Sequence, residues 1–450
     1  MLISELYALY NQHPEITTDS RVCPLGSIFF ALKGDSFDGN AFAEKALQSG
    51  CAYAVVDNPD VVRNCGEAIT TAGGEGISLH QDSRIILVDD VLTTLQQLAC
   101  LHRKTLGIPV IGITGTNGKT TTKELTATVL SEKYNTLFTQ GNLNNHIGVP
   151  LTLLKLTREH EIAVIEMGAN HPGDICDLAN IARPDYGLIT NVGYAHLEGF
   201  GSIEGVLRTK GELYDFIRKN GGKIFINNDN NDLNDIAERL DRITYGITPE
   251  TSVFVSGKAS DSHTFLSFIW NHKSLQYRVT TQLVGDYNLY NALAAIAIGT
   301  YFGVAPEQIN DAISNYTPTN NRSQFKKTER NELIIDAYNA NPSSMRAALE
   351  NFASSETPKS QPKAVILGDM RELGEKSMEL HSEILKIAEA SGFEKILLCG
   401  EQFSTAGKKH LCFPTVEALG EYLDTNPLHG YHILIKGSHG IHLEGIIDKL

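Results

Sequence analysis

No apolar run in this chain approaches the roughly 20 residues needed to span a bilayer. Its first residues, Met1-Leu2-Ile3-Ser4-Glu5-Leu6-Tyr7, lack the basic stretch ahead of an apolar one that marks a signal peptide. Cysteine is sparse, with seven at positions 23, 51, 65, 100, 176, 399 and 412, forming no C-x-x-C pair and no zinc-like spacing. That dispersed set argues against a disulfide scaffold and reads as the reduced thiols of a cytoplasmic protein. Basic charge is also short: 38 Lys and Arg stand against 53 Asp and Glu, a net charge of −15. Such a balance argues against non-specific nucleic-acid binding, which leaves a basic footprint. There is no internal repeat and no low-complexity tract.

What remains is the ordinary composition of a globular protein, 42% apolar and 20% charged, over 450 residues, enough for two or three domains. Within it, Gly112-Ile113-Thr114-Gly115-Thr116-Asn117-Gly118-Lys119-Thr120-Thr121 carries the most information. It follows an apolar stretch, Ile108 to Ile111, and precedes a segment, Lys123 to Lys133, that reads as a helix. Strand, glycine loop, lysine, hydroxyl and helix make a phosphate cradle: backbone N–H groups and the helix N-terminus face the anion, Lys119 reaches the terminal phosphates, and Thr120 can ligate Mg²⁺. The spacing G-x-x-x-x-G-K-[ST] is not quite met, because Ile113 stands where a glycine is usual and Gly115 opens a shorter loop. The alternative, a glycine turn that merely starts a helix, fits a lone Gly-Lys-Thr better than this strand–loop–helix register. If the ligand is an anionic nucleotide, cations must be gathered locally against the acidic field. Arg21, Lys33, Lys119, Lys210, Arg322 and Lys436 all lie in or beside glycine- or polar-rich motifs.

Short apolar runs alternate with helical segments through most of the chain, the pattern of an α/β protein with mostly parallel sheets. We expect three domains: a small α/β domain over 1–87, a central P-loop domain over 88–318, and a C-terminal Rossmann-like domain over 319–450. An antiparallel extension is expected within 250–284, and the polar run Tyr316-Thr-Pro-Thr-Asn-Asn-Arg322 reads as a domain junction. Thr71-Ala-Gly-Gly-Glu-Gly reads as a loop. Gly141-Asn142-Leu143-Asn144-Asn145-His146-Ile147-Gly148 suits a tight loop, offering donors to a ligand or making Asx turns of its own. Glu166 ends a strand where a Mg²⁺ ligand, a helix cap or a surface charge would all fit. His196 and Lys210, taken separately, are weak signals.

In combination they are not weak. T-G-T-N-G-K-T-T, then G-N-x-N-N-x-I-G-V-P, E-M-G, N-V-G-x-A-H-L-E-x-F-G-S and K-G-E resemble the Mur ligase family of ATP-dependent amide ligases. Further matches are Asn288-Leu-Tyr-Asn291, Asp336-Ala-Tyr-Asn339-Ala-Asn341-Pro342, Gly368-Asp-Met-Arg-Glu-Leu-Gly and Lys436-Gly-Ser. The likeness implies ATP, two Mg²⁺ ions and an acyl-phosphate intermediate. The Tyr-Asn-Ala-Asn-Pro and Gly-Asp-Met-x-Glu-Leu-Gly segments imply the substrates UDP-N-acetylmuramoyl-tripeptide and D-alanyl-D-alanine. By position, Gly115, Thr116, Asn117, Gly118, Lys119, Thr120 and Thr121 would cradle phosphates, with Asn291 at adenine, Arg322 at the γ-phosphate and Asp336 at the ribose. Thr120 and Glu166 would ligate one Mg²⁺ and His196 the other. Lys210 matches the family lysine that CO₂ carbamylates into an anion able to bind Mg²⁺. Ser20, Arg21, Lys33 and Gly34 would meet the uridine diphosphate, while Asn145, Asn339 and Asn341 would serve the other substrate contacts.

Three departures stand out. Asn321 occupies the place of a usual Gly, Ile335 that of a common acidic or amide residue, and His439 that of an Arg. The other readings are a sister ligase taking a different amino acid, and a nucleotide-binding or phosphohydrolase protein without ligation. A monomer is expected.

Overall fold

The computed structural model describes residues 2–34, 36–64, 84–194, 197–247, 253–260, 265–319, 321–355 and 361–450. The glycine-rich stretch at 71–76 and His196 lie outside these residues. The chain divides into two compact units: Met1–Gly112 with Leu137–Met167 and Cys176–Pro184, and Ile113–Thr136 with Gly168–Ile175 and Asp185–Leu450. The strand Val110–Thr114 is shared between them.

The first unit begins with a four-stranded sheet ordered Ile16–Thr17, Ile28–Phe30, Tyr53–Val56 and Ile85–Leu87, all parallel. Each central strand is an unbroken apolar run, as a sheet covered on both faces requires. A short antiparallel hairpin pairs Lys33–Gly34 with Phe37–Asp38. The helix Val91–Leu106 follows, capped by the Asp90 carboxylate, which accepts from the Thr93 N–H, and ended by Gly107 in the left-handed region. Ile162–Glu166 lies between Val110–Thr114 and Thr136–Phe138 in the next sheet.

In the second unit, strands run in the order Leu275–Thr280, Ser267–His272, Val255–Ala259, Asp241–Gly246, Lys223–Asn227, Tyr186–Ile189 and Val110–Thr114. Pairing is parallel from Tyr186–Ile189 to Val255–Ala259 and antiparallel across the last two strands. That matches the expected antiparallel extension. The strand Asp241–Gly246 escapes a reading by apolar runs because it opens with the exposed pair Asp241 and Arg242. The phosphate-loop helix spans Lys119–Ser131 and starts earlier than its apolar periodicity suggests. The left-handed Gly118 turns the chain straight into the helix, so the lysine is its first residue. Against it packs the helix Asn288–Tyr301, rich in small residues. A Cβ on Gly299 would come within 2.3 Å of Val129 Cγ1, so glycine there sets how closely the two helices approach.

The C-terminal sheet is ordered Gln324–Lys327, Glu332–Asp336, His432–Lys436, Lys363–Gly368, Lys395–Cys399 and Leu411–Phe413, with only the first strand antiparallel. Side chains alternate between two cores. Ile334, Val365, Leu367, Leu398 and Leu434 pack on one face, and Leu333, Ile335, Ile366, Leu397 and Ile433 on the other. Period-two alternation with apolar residues on both faces is the doubly wound, Rossmann-like arrangement. No helix among the described residues is long and apolar enough to cross a membrane.

Candidate active site

The loop Gly115–Gly118 is held from below by the end of the strand Tyr186–Ile189. Asn191 accepts the Thr116 N–H on its backbone carbonyl (2.9 Å) and the Asn117 N–H on its side-chain oxygen (3.0 Å). The Thr190 hydroxyl donates to the Asn117 carbonyl at 2.6 Å. These bonds occupy the inner side of the loop and fix its shape before any ligand arrives. Two glycines are required by contact as well as conformation. A Cβ on Gly115 would lie 2.0 Å from Thr190 Oγ1, and one on Gly118 would lie 2.5 Å from Asn291 Oδ1. Both have positive φ, +143° and +76°.

Asn291 is buried beneath the loop. Its carboxamide oxygen accepts from the Thr122 hydroxyl (3.1 Å) and its nitrogen donates to Asn288 Oδ1 (2.8 Å). Gly118→Ala therefore meets both a left-handed backbone and Asn291. The expected result is a loss of about 1–2 kcal/mol of stability with weakened ATP binding, read by urea unfolding and nucleotide titration. An unchanged unfolding midpoint and unchanged affinity would contradict this account of the loop.

Lys119 folds back over its own turn, donating from Nζ to the carbonyls of Gly115 (2.8 Å) and Thr116 (3.0 Å). Thr120 is buried at the first turn of the helix. Lys210 lies on the helix Ile203–Asn220, which Ser202 caps through the Gly205 N–H. Only 2% of Lys210 is exposed, and its Nζ sits 5.3 Å from the centre of the Phe200 ring. Burial, then the nearby positive Lys119, pulls its pKa from 10.5 to about 7, with Asp174 and Glu212 opposing. A lysine so placed is half neutral near physiological pH, and a neutral amine is a nucleophile.

The C-terminal domain meets the loop directly. Asn341 caps the helix Pro342–Ser354 by accepting the Ser344 N–H (2.9 Å), and its Nδ2 donates to Asn117 Oδ1 at 2.8 Å. Next to it, the Ser343 hydroxyl oxygen accepts the Tyr194 N–H (3.1 Å). Lys436, buried, donates to Asp336 Oδ2 (2.5 Å) and to the Asn339 carbonyl (3.3 Å). The Arg322 guanidinium stacks 3.7 Å from the centre of the Tyr338 ring. Asn321, the departure ahead of it, has φ +55°. A left-handed residue is needed there, and asparagine is among the few non-glycine residues that adopt that backbone readily. The structure thus brings together the loop, Asn291, Lys210, Asn341 and the cluster of Arg322, Asp336 and Asn339 in the second unit.

The remaining candidates belong to the first unit. The Asn144 amide donates to Glu166 Oε1 at 2.8 Å, and the Glu166 N–H donates to the Thr139 hydroxyl oxygen. Asn145 takes the Asx-turn role: its oxygen accepts the N–H groups of Ile147 and Gly148 at the start of the helix Gly148–Leu153. Arg21 is exposed and grips Asp19 through Nε and Nη2, which holds the Asp19 carboxyl down at about 2. Lys33 pairs with Asp57 at 2.8 Å, and Gly34 lies in the hairpin against Phe37. Ser20 accepts the Cys23 thiol on its carbonyl. Among the described residues, Cys23, Cys51, Cys100, Cys176, Cys399 and Cys412 form no disulfide. Asn144, Asn191, Ser343 and Tyr338 were not singled out from sequence. Asn144, Asn191 and Tyr338 stood in quoted motifs and Ser343 directly follows one, but spacing does not say which amide of a run faces the carboxylate or the loop.

The Mur ligase middle-domain profile matches residues 113–299, the Mur ligase glutamate-ligase-domain profile 321–439, and the Mur ligase family catalytic-domain profile 14–103. The UDP-N-acetylmuramoyl-tripeptide–D-alanyl-D-alanine ligase of Bacillus subtilis is 36% identical over 97% of this chain and 92% of its own length. The ligase of the same name from Escherichia coli is 34% identical over 97% and 93%. The crystal structure of MurF from Acinetobacter baumannii superimposes with a TM-score of 0.83 at 30% identity, covering 97% of this chain and 93% of that one. With near-complete coverage by relatives above 30% identity, and all three domain profiles in order along it, this chain belongs to the Mur ligase family.

Proposed function

We propose that this protein joins D-alanyl-D-alanine to UDP-N-acetylmuramoyl-tripeptide at the expense of ATP, in peptidoglycan precursor synthesis. What carries the reading is a buried, near-neutral Lys210 beside Lys119 at a phosphate loop, on a chain similar throughout to ligases of that name. The tripeptide carboxylate attacks the γ-phosphorus of ATP, giving an acyl phosphate and ADP. The dipeptide amine then attacks the acyl carbon and inorganic phosphate leaves, so one amide bond forms and one phosphoanhydride bond breaks.

The residues fit divided roles. Lys119 releases its two carbonyls to meet the β- and γ-phosphates, with the backbone amides of Gly115 to Thr121 around them. Asn291 supports the loop and serves the base, Asp336 the ribose, and Arg322 the γ-phosphate. Thr120, Glu166 and carbamylated Lys210 offer the hard oxygen donors that suit Mg²⁺, and His196 would add a single imidazole among them. When bound, the two ions offset charge between the phosphates and the acceptor carboxylate. Carbamylation of Lys210 forms an N–C bond from the neutral amine and CO₂, releases a proton, and changes a buried cation into an anion. Ser20, Arg21, Lys33 and Gly34 serve the uridine diphosphate, and Asn145, Asn339 and Asn341 support substrate binding. The ATP and UDP-linked substrates place the reaction in the cytoplasm, and the enzyme acts as a monomer.

The test is phosphate release from Mg²⁺-ATP with UDP-N-acetylmuramoyl-tripeptide, with and without D-alanyl-D-alanine. Release that needs both, with a pentapeptide product, is expected. Release with neither substrate, or with neither dipeptide nor product dependence, would favour a phosphohydrolase.

A further inference from the structure

The residues after the strand His432–Lys436 form two short 3₁₀ segments, His439–Ile441 and Leu443–Lys449. They bring one ligand atom each from His439, His442 and Glu444 to within 4.8 Å of one another. His442 Nδ1 lies 3.3 Å from Glu444 Oε1, and His439 Nδ1 lies 4.0 Å from the same oxygen. Two ligands each about 2.0–2.1 Å from one ion at a tetrahedral angle stand about 3.3–3.4 Å apart, so little movement would close the set. A second observation points the same way. The other carboxylate oxygen, Glu444 Oε2, is buried and has no hydrogen-bond partner among the described residues. A buried, unsatisfied carboxylate oxygen is costly unless something positive completes it.

Neighbouring contacts hold the frame. Arg371 donates to the Gly440 carbonyl at 2.7 Å, fixing the turn between the two histidines. The His439 ring stacks on Tyr338, 5.6 Å between centres. His442 has φ +59°, a backbone that orients its ring back toward Glu444. It also lines a cavity of about 780 Å³ bordered by Asp369, Arg371, Gly400, Thr415 and Gly440. An ion here would have three protein ligands and room for water.

We propose that His439, His442 and Glu444 form a site for a divalent transition metal of the zinc class, distinct from the Mg²⁺ positions of the ligase reaction. Two imidazoles and one carboxylate suit Zn²⁺, Co²⁺ or Ni²⁺ and are poor for Mg²⁺, which prefers oxygen. His439 makes the set possible, since an arginine at that position could not ligate.

The test is equilibrium dialysis of the full-length protein against Zn²⁺ in excess Mg²⁺ without ATP, with bound metal counted by elemental analysis. One equivalent is expected for the wild type, with affinity at least about 10-fold lower in Glu444→Gln and in His442→Asn, which keeps the left-handed backbone accessible. His439→Arg is a third variant that leaves the other two ligands intact, and melting without metal confirms that each variant is folded. No binding by the wild type, or equal binding by folded variants, would overturn the proposal.

Discussion

Lys210→Ala is expected to lower kcat by about 10²–10³-fold or more, with the protein still folded. The reason lies in the amine's surroundings. Its pKa of about 7 leaves it largely neutral just above that pH, where an exposed lysine would be charged. At fixed dissolved CO₂, the carbamate should therefore grow in as pH rises through about 7. A ¹³C signal from labelled CO₂ at this lysine, absent in Lys210→Ala, is the direct measurement. Activity indifferent to CO₂ removal, with no labelled adduct, would remove the carbamate from the mechanism. The same shift has a consequence for folding. Between pH 7 and 10.5 the unfolded chain binds this proton and the folded chain does not, so this group's contribution to stability rises with pH across that window. Below about 7 its burial penalty is at full strength.

The second large effect belongs to Lys119. Lys119→Met is expected to cost about 10²–10³-fold in kcat, because no other side chain begins this helix with a cation aimed across the loop carbonyls. It should also reach Lys210. After burial, the charge of Lys119 is the largest influence lowering the pKa of Lys210, so removing it should move carbamate formation to higher pH. The two measurements separate the roles. A variant that loses turnover with the carbamate titration unmoved would keep Lys119 as a phosphate ligand and deny its influence on Lys210. A variant with full turnover would contradict its place in the site.

The parts of this protein that were legible in its sequence are those governed by local rules. The Gly115–Gly118 loop announced itself because strand, left-handed glycine and helix are consecutive. Four of the six C-terminal strands, Glu332–Asp336, Lys363–Gly368, Lys395–Cys399 and His432–Lys436, were legible because burial on both faces leaves apolar runs, whereas the partly exposed edge strands Gln324–Lys327 and Leu411–Phe413 did not stand out. Less legible was anything that depends on which of several equivalent groups faces inward. Asn144 and Asn145 are neighbours of one type, yet one bonds Glu166 and the other caps a helix. Lys210 reads as a surface lysine until the fold buries it, because nothing within its own helix lowers its pKa. Tyr338 takes its place under Arg322 from a strand end and a domain junction sixteen residues apart in sequence, a pairing that no periodicity encodes.

Asn341 offers a last consequence. Its oxygen caps the start of a helix in one domain while its nitrogen reaches Asn117 in the phosphate loop. Few side chains can stand in for both halves. Aspartate keeps the acceptor and has no donor, serine keeps the cap and falls short of the loop, and glutamine has both groups on a longer arm. The position is therefore narrow in what it tolerates, for a reason that belongs to neither the helix nor the loop alone. Drift at this residue would uncouple local folding from the assembly of the site, and only asparagine keeps the two events joined.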